Sequence, residues 1–219
     1  MSIHSEKYIK KFDQQFFIDW YRLNGRDFPW RREEVSPYSI LVTEMLLRQT
    51  QANSVHKIWA NFISNYPNPH ILAKANKEVL SNQLEDLGLK NQRTQALIDV
   101  AQWLLEHHQG VVPNSLDELL MIPHVGQYTA RAVLCFAYGY RMEIVDINIL
   151  RFFSRYFGID VKPDIRRNPQ IWEIARSILP TNKVKEHNYG LLDFCSLVCK
   201  SKSPLCITCD LRFTCNRVR

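Results

Sequence analysis

Met121-Ile122-Pro123-His124-Val125-Gly126-Gln127-Tyr128-Thr129 joins a short helical segment to a longer one through a tight turn built on Pro123 and Gly126. Such a turn leaves successive backbone N–H groups at the start of the following helix. Those unpaired donors and the helix dipole together favour a phosphate oxygen. A contact of this kind positions a nucleic-acid backbone and reads no base. The same nine residues also suit an ordinary corner between two packed helices, and alone they leave both readings open.

Outward from the turn, nearly every segment has helical periodicity. Tyr8 to Leu23 carries Ile9, Phe12, Phe16, Phe17 and Trp20 at helical spacing, with Gly25 as a stop. Pro37 opens a helix whose apolar face holds Ile40, Leu41, Met45 and Leu46. Val55, Ile58, Trp59 and Phe62 mark another, ending before Pro67. Shorter helices are expected near His70–Lys74 and Glu78–Leu87, and a long one over Gln92–His108. Ser115-x-x-Glu118 is a capping box just before the turn. Gln127–Tyr138, Ile147–Phe157, Gln170–Leu179 and Val184–Val198 complete the set. Period-two alternation is nearly absent, so the expected class is all-α with a terminal metal loop.

That loop is Cys199, Cys206, Cys209 and Cys215, spaced C-x6-C-x2-C-x5-C. Four thiolates so close together suit tetrahedral zinc or an iron–sulfur cluster. A zinc ribbon usually carries two C-x2-C knuckles, and here there is one. A cubane tolerates uneven gaps because its irons occupy separate corners, which favours a 4Fe–4S cluster. The polar, charged N-terminus, MSIHSEKYIKKFDQQ, does not read as a signal peptide. The expected setting is therefore a reducing, cytoplasmic and nucleoid-associated one, which disfavours disulfides. Cys135 and Cys195 sit in apolar helical patterns and read as small buried hydrophobes.

The 219 residues carry a net charge of +6 with a pI near 9.0. Lys200, Lys202, Arg212, Arg217 and Arg219 crowd the cysteine loop against one acid, Asp210. A localised basic patch is the footprint of phosphate binding. No apolar stretch approaches the ~20 residues that span a bilayer. No internal repeat or low-complexity segment is present.

Taken together, Ile122-Pro123-His124-Val125-Gly126, Val145-Asp146-Ile147-Asn148 and the four-cysteine loop resemble the endonuclease III superfamily of helix-hairpin-helix DNA glycosylases in order and spacing. The likeness runs from Phe28-Pro29-Trp30-Arg31 to Cys215. It implies two helical domains with a DNA-binding cleft: 37–141 as a six-helix domain holding the hairpin, and 1–36 with 142–219 as a discontinuous cluster domain. The implied partner is double-stranded DNA with a mismatched or damaged base, bound by a monomer. His124 stands where the family usually has Gly, a costly exchange if φ there is positive.

The resemblance also implies roles. Asp146 matches the carboxylate that stabilises, or transiently attacks, the oxocarbenium-like sugar. Its residue type also fits a simple N-cap for the helix at Ile147. Lyase-active members carry a Lys where this chain has Tyr128, and no Lys lies between Lys90 and Lys162. A monofunctional glycosylase follows. Glu44 matches a carboxylate facing the extruded base. Arg48 and Gln49 match residues that reach into the vacated stack, and Leu89 matches the opposite-strand wedge. His124, Val125, Gly126, Gln127, Lys200 and Lys202 are the expected backbone contacts.

For the target base, Asn91-Gln92-Arg93, Arg26-Asp27-Phe28-Pro29-Trp30-Arg31, Asn148 and Asn188-Tyr189-Gly190-Leu191-Leu192-Asp193-Phe194 resemble the thymine branch, which acts on G/T mismatches. Ala52 does too. Tyr189, if it lines the base pocket, fits neither that branch nor the adenine glycosylases. Thymine or uracil opposite guanine is the leading expectation, with adenine opposite guanine or 8-oxoguanine, or a modified base, behind it. A non-catalytic iron–sulfur protein that binds DNA or senses redox state is the alternative from another class.

Overall fold

The computed structural model describes residues 12–159 and 169–218, which are helical with no strand among them. The expected helix start at Tyr8 and Ile9 lies outside them, as do Lys162 and Arg219. Eleven α-helices are present among the described residues: α1 Phe16–Asn24, α2 Pro37–Leu46, α3 Ala52–Asn65, α4 Pro69–Ala73, α5 Lys77–Gln83, α6 Lys90–His108, α7 Leu116–Met121, α8 Gln127–Phe136, α9 Ile147–Phe157, α10 Pro169–Ser177 and α11 Val184–Leu197. The all-α expectation holds, with shifted ends. Just ahead of α1, residues 12–15 are not helical, and Asp13 accepts from the Gln15 amide in a local turn. The helix expected over Glu78–Leu87 is two elements. Asn76 caps α5 by accepting from the Glu78 and Val79 amides, and a separate 3-10 turn covers Glu85–Leu87.

The chain divides into two compact units, Asp27–Tyr138 and Met1–Arg26 with Gly139–Arg219. The breaks fall at 26/27 and 138/139, where the resemblance implied 36/37 and 141/142. Local bonding explains both shifts. Arg26 is tied to Asp193 of α11 through its amide and Nε, each at 2.8 Å, so it stays with that helix. The ring of Phe28 stacks on Trp30 at 4.5 Å, and Trp30 meets Trp59 of α3, so these residues belong to the other unit. Arg141 donates to the Leu179 and Pro180 carbonyls of its own unit.

In the unit Asp27–Tyr138, α2 is the central helix. Every residue from Tyr38 to Leu46 is buried, so its neighbours cover it on all sides. Ser36 caps it and Pro37 occupies its first turn. This unit holds seven of the α-helices, the number the helical periodicity marks out there and one more than the six the resemblance implied.

In the other unit, α1 lies on α11 and the core is aromatic. Phe17, Phe152 and Phe194 meet edge to face at 5.6 to 5.8 Å. Gly190 permits the helix contact: an added Cβ would overlap the Phe17 carbonyl oxygen. Backbone cannot yield as a flexible side chain does. Gly190→Ala should therefore lower stability by about 1–3 kcal/mol, despite the higher helix propensity of alanine, with urea unfolding as the measurement.

Candidate active site and nucleic-acid interface

Ile122 to Val125 form a turn of the type II pattern. Pro123 stands at its second position, His124 at its third with φ of 64°, and the Val125 amide donates to the Ile122 carbonyl at 3.1 Å. A left-handed third position is what glycine normally supplies, and the strain expected at His124 is present. The ring is held in compensation: His124 Nε2 lies 2.8 Å from Asp99 Oδ2 on α6. The histidine side chain is thus engaged inside its own unit. Val125 is buried, and its amide is spent in the turn. Gly126 begins α8 with open space where a Cβ would stand, so the start of that helix is uncovered.

Three non-glycine residues with left-handed backbones line one cavity of about 430 Å³: Gln49 at φ 53°, Leu89 at φ 51° and His124. Arg48, Gln92, Arg93 and Gln95 complete its polar wall. Leu89 is 52% exposed, although it is a large aliphatic residue. Gln49 and Arg48 are exposed as well, and Arg48 Nη1 donates to the His124 carbonyl at 3.2 Å. The residues expected to enter the stack therefore gather beside the hairpin. Strained backbone persists only where its surroundings over-determine it, and it concentrates at functional sites.

Asp146 stands at the N-cap of α9. Its Oδ1 accepts from the Asn148 and Ile149 amides at 2.9 and 2.7 Å, and its Oδ2 accepts from Asn148 Nδ2 at 2.8 Å. It is therefore a cap as well as a candidate carboxylate. Burial pushes its pKa up from the ordinary carboxylate range. The Ile149 and Asn148 donors and the charge of Arg151 pull the other way without cancelling that rise. Behind it, Arg151 Nη1 donates to Asn148 Oδ1 at 2.8 Å, while Arg151 Nε and Nη2 reach the carbonyls of Cys199 and Cys195. One hydrogen-bonded chain thus links Asp146 to the first cysteine of the terminal loop.

Cys199, Cys206, Cys209 and Cys215 are unbridged thiols lining one pocket with Phe152 and Phe194. Burial raises the Cys209 and Cys215 pKa values, and negative charge on neighbouring cysteines raises them further. Four thiolates this close together repel one another unless a cation neutralises them, so the donor set fits a thiolate-ligated centre. Among the described residues, no three His, Cys, Asp or Glu side chains converge on a single ion position. Arg155 braces the loop, with Nη1 donating to the Lys200 carbonyl at 2.6 Å and lying 3.6 Å from Cys199 Sγ. Cys135 and Cys195 are fully buried, as their apolar patterns suggested.

The other expected residues divide between the units. Glu44 on α2 is 5% exposed, Ala52 starts α3 half-buried, and Tyr128 is half-buried on α8. Tyr189 on α11 is buried with its ring 5.8 Å from Tyr21. Lys202 is exposed, while Lys200 is half-buried with its carbonyl held by Arg155.

Sequence reading gave no role to Arg93, Asp99, Arg151 or Arg155. A signal was present. Arg93 falls four residues before Leu97 on the apolar stripe of α6, and Asn148, Arg151 and Arg155 recur at helical spacing on apolar α9. A charge at a core register implies a buried partner.

With this geometry in view, similarity to known proteins becomes informative. Residues 42–177 match the profile described as HhH-GPD superfamily base excision DNA repair protein, and the chain belongs to that family. It is 34% identical over 199 residues to the thymine/uracil-DNA glycosylase of Methanothermobacter thermautotrophicus, covering 91% of this chain and 90% of that one. The adenine DNA glycosylase of Mycobacterium tuberculosis is also 34% identical, over 89% of this chain and 64% of that protein. A solved structure of a thermostable thymine-DNA glycosylase superposes with a TM-score of 0.86 at 31% identity, covering 98% of this chain and 96% of that one. No helix among the described residues is long and apolar enough to cross a membrane.

The hairpin yields a stability prediction. His124→Gly removes a left-handed penalty of about 1 kcal/mol and a side-chain contact to Asp99 worth at most about that at this exposure, so the urea midpoint should hardly move. His124→Ala keeps the penalty and loses the contact. It should be about 1 kcal/mol less stable than His124→Gly.

Proposed function

We propose that this chain is a monofunctional DNA glycosylase that hydrolyses the N-glycosidic bond of thymine or uracil opposite guanine. The observation that carries this reading is the Asp146 carboxylate, held by three donors at the start of α9 with its pKa raised by burial. As the base departs, positive charge develops on deoxyribose, and a fixed carboxylate stabilises it electrostatically. Preorganisation by Asn148 and Ile149 means the group need not reorient as that charge appears. Glu44, buried on α2, supplies the proton for the leaving base or orients the attacking water. Tyr128 offers no amine for a Schiff base, so the product is an abasic site.

Support for the target base comes from thymine/uracil relatives at 34–37% identity, matched over most of both chains. Ala52 and Tyr189 would face the extruded base. The hairpin, Lys200 and Lys202 would hold phosphates of duplex DNA, bound by a monomer at the nucleoid. Cys199, Cys206, Cys209 and Cys215 would hold a 4Fe–4S cluster, since their uneven C-x6-C-x2-C-x5-C spacing suits irons at separate corners better than one tetrahedral zinc. The cluster would supply rigidity to the loop, because hydrolysis needs no electron transfer.

Labelled duplexes bearing G/T, G/U or A mismatches, incubated with the protein and then alkali, test this reading. Strand breaks at thymine or uracil opposite guanine are expected, and Asp146→Asn should abolish them. If no duplex breaks and Asp146→Asn binds identically, the chain is a DNA-binding protein without this chemistry. The pH dependence has a definite sign. A raised folded pKa leaves the carboxylate ionised only above it. Single-turnover excision should therefore fall as pH drops through a value above the ~3.9 of free Asp. Asn148→Ala removes a donor to the ionised form and should move that acid limb to higher pH. The purified protein should be brown, with iron and acid-labile sulfide in equal amounts, and Cys206→Ser should lose both.

A further inference from the structure

Arg93 is a charged residue only 7% exposed, and it faces backbone oxygens on three sides. Its Nη1 donates to the Met45 and Leu46 carbonyls at 2.7 and 3.0 Å, the last turn of α2. Its Nη2 donates to the Arg48 carbonyl at 3.0 Å and to Thr50 Oγ1 at 2.8 Å. The Thr50 hydroxyl passes the contact on by donating to the Leu87 carbonyl at 2.9 Å. Longer contacts of 3.5 Å reach the Leu87 and Gly88 carbonyls directly. One planar fork therefore grips the loop that carries Gln49 and, through Thr50, the loop that carries Leu89.

The placement runs against the helix that carries it. Arg93 is the fourth residue of α6, where a cation opposes the helix dipole, yet it caps the C-terminal carbonyls of α2, where a cation is favoured. A lysine would present a point charge instead of a fork with directed donors. Gln49 and Leu89 both hold left-handed backbones that non-glycine residues adopt only under constraint, and the Arg93 network supplies that constraint.

We propose that Arg93 is a positioning residue for base extrusion: it touches no DNA, and it fixes the strained Gln49 and Leu89 loops in the conformation that opens the base stack. This inference rests on the glycosylase reading for its setting. It concerns a step that precedes bond cleavage and can be measured separately.

The probe is a G/T or G/U duplex with 2-aminopurine beside the target base, whose fluorescence rises when the stack opens. Arg93→Lys and the milder Thr50→Val should slow that rise about tenfold, since small misplacements of positioning groups are costly. Binding, read by anisotropy, should stay near wild type because phosphate contacts dominate affinity. A double-mutant cycle separates positioning from general loosening. Added to Leu89→Ala, Thr50→Val should cost little more than Leu89→Ala alone, because both act through the same wedge. Opening at the wild-type rate in Arg93→Lys and Thr50→Val would overturn the proposal, as would losses that add fully in the cycle. A wild-type protein that opens the stack with this dependence yet releases no base would leave the proposal standing and remove the glycosylase reading. A wild-type protein that opens no mismatched duplex would remove both.

Discussion

A carboxylate at the edge of an apolar unit must be met by donors, and the arrangement around Asp146 follows from that constraint. Burial disfavours its ionised form, while the amides of Asn148 and Ile149 and the side chain of Asn148 restore it in part. Asn148 is held in turn by Arg151, whose remaining donors go to the carbonyls of Cys195 and Cys199. The terminal loop is braced by Arg155 and by backbone bonds from Asn216 and Arg217 to Tyr156 and Arg155. The position of the Asp146 carboxylate is thus tied to a loop that cannot build an apolar core of its own. A metal centre suits such a loop because its binding energy becomes folding energy.

The unit Asp27–Tyr138 solves a different problem. Exposed side chains on left-handed backbone need neighbours that hold that backbone in place. Gln49, Leu89 and His124 occupy left-handed conformations, and each is tied by a charged neighbour: Arg93 for the first two, Asp99 for the third. Strain and restraint occur together, which marks this surface as built for a task rather than for stability. The histidine in the hairpin is compatible with the turn because α6 supplies a carboxylate within reach of its ring.

How much of this the sequence disclosed depended on the range of the interactions. The helical class, the hairpin at Pro123 and Gly126, the N-cap at Asp146 and the four-cysteine loop are local. Each is set by spacing and residue type within one turn or one short segment, so each was legible. The exposure of Leu89 was less legible: an isolated leucine suits a packed core equally well, and only its flanking Gly88 and Lys90 hinted at a loop.

What the tertiary structure alone decided are pairings between residues far apart in the chain. Arg93 with the end of α2, Asp99 with His124, Arg151 with Cys199 and Arg26 with Asp193 all join distant segments. A sequence shows that a buried charge needs a partner and leaves open which carbonyl will supply it, because packing chooses among many carbonyls of equal chemistry. The local turns ahead of α1 and α5 were decided in a related way. Asp13 and Asn76 can bond neighbouring amides in or out of a helix, and only the folded chain fixes which amides those are.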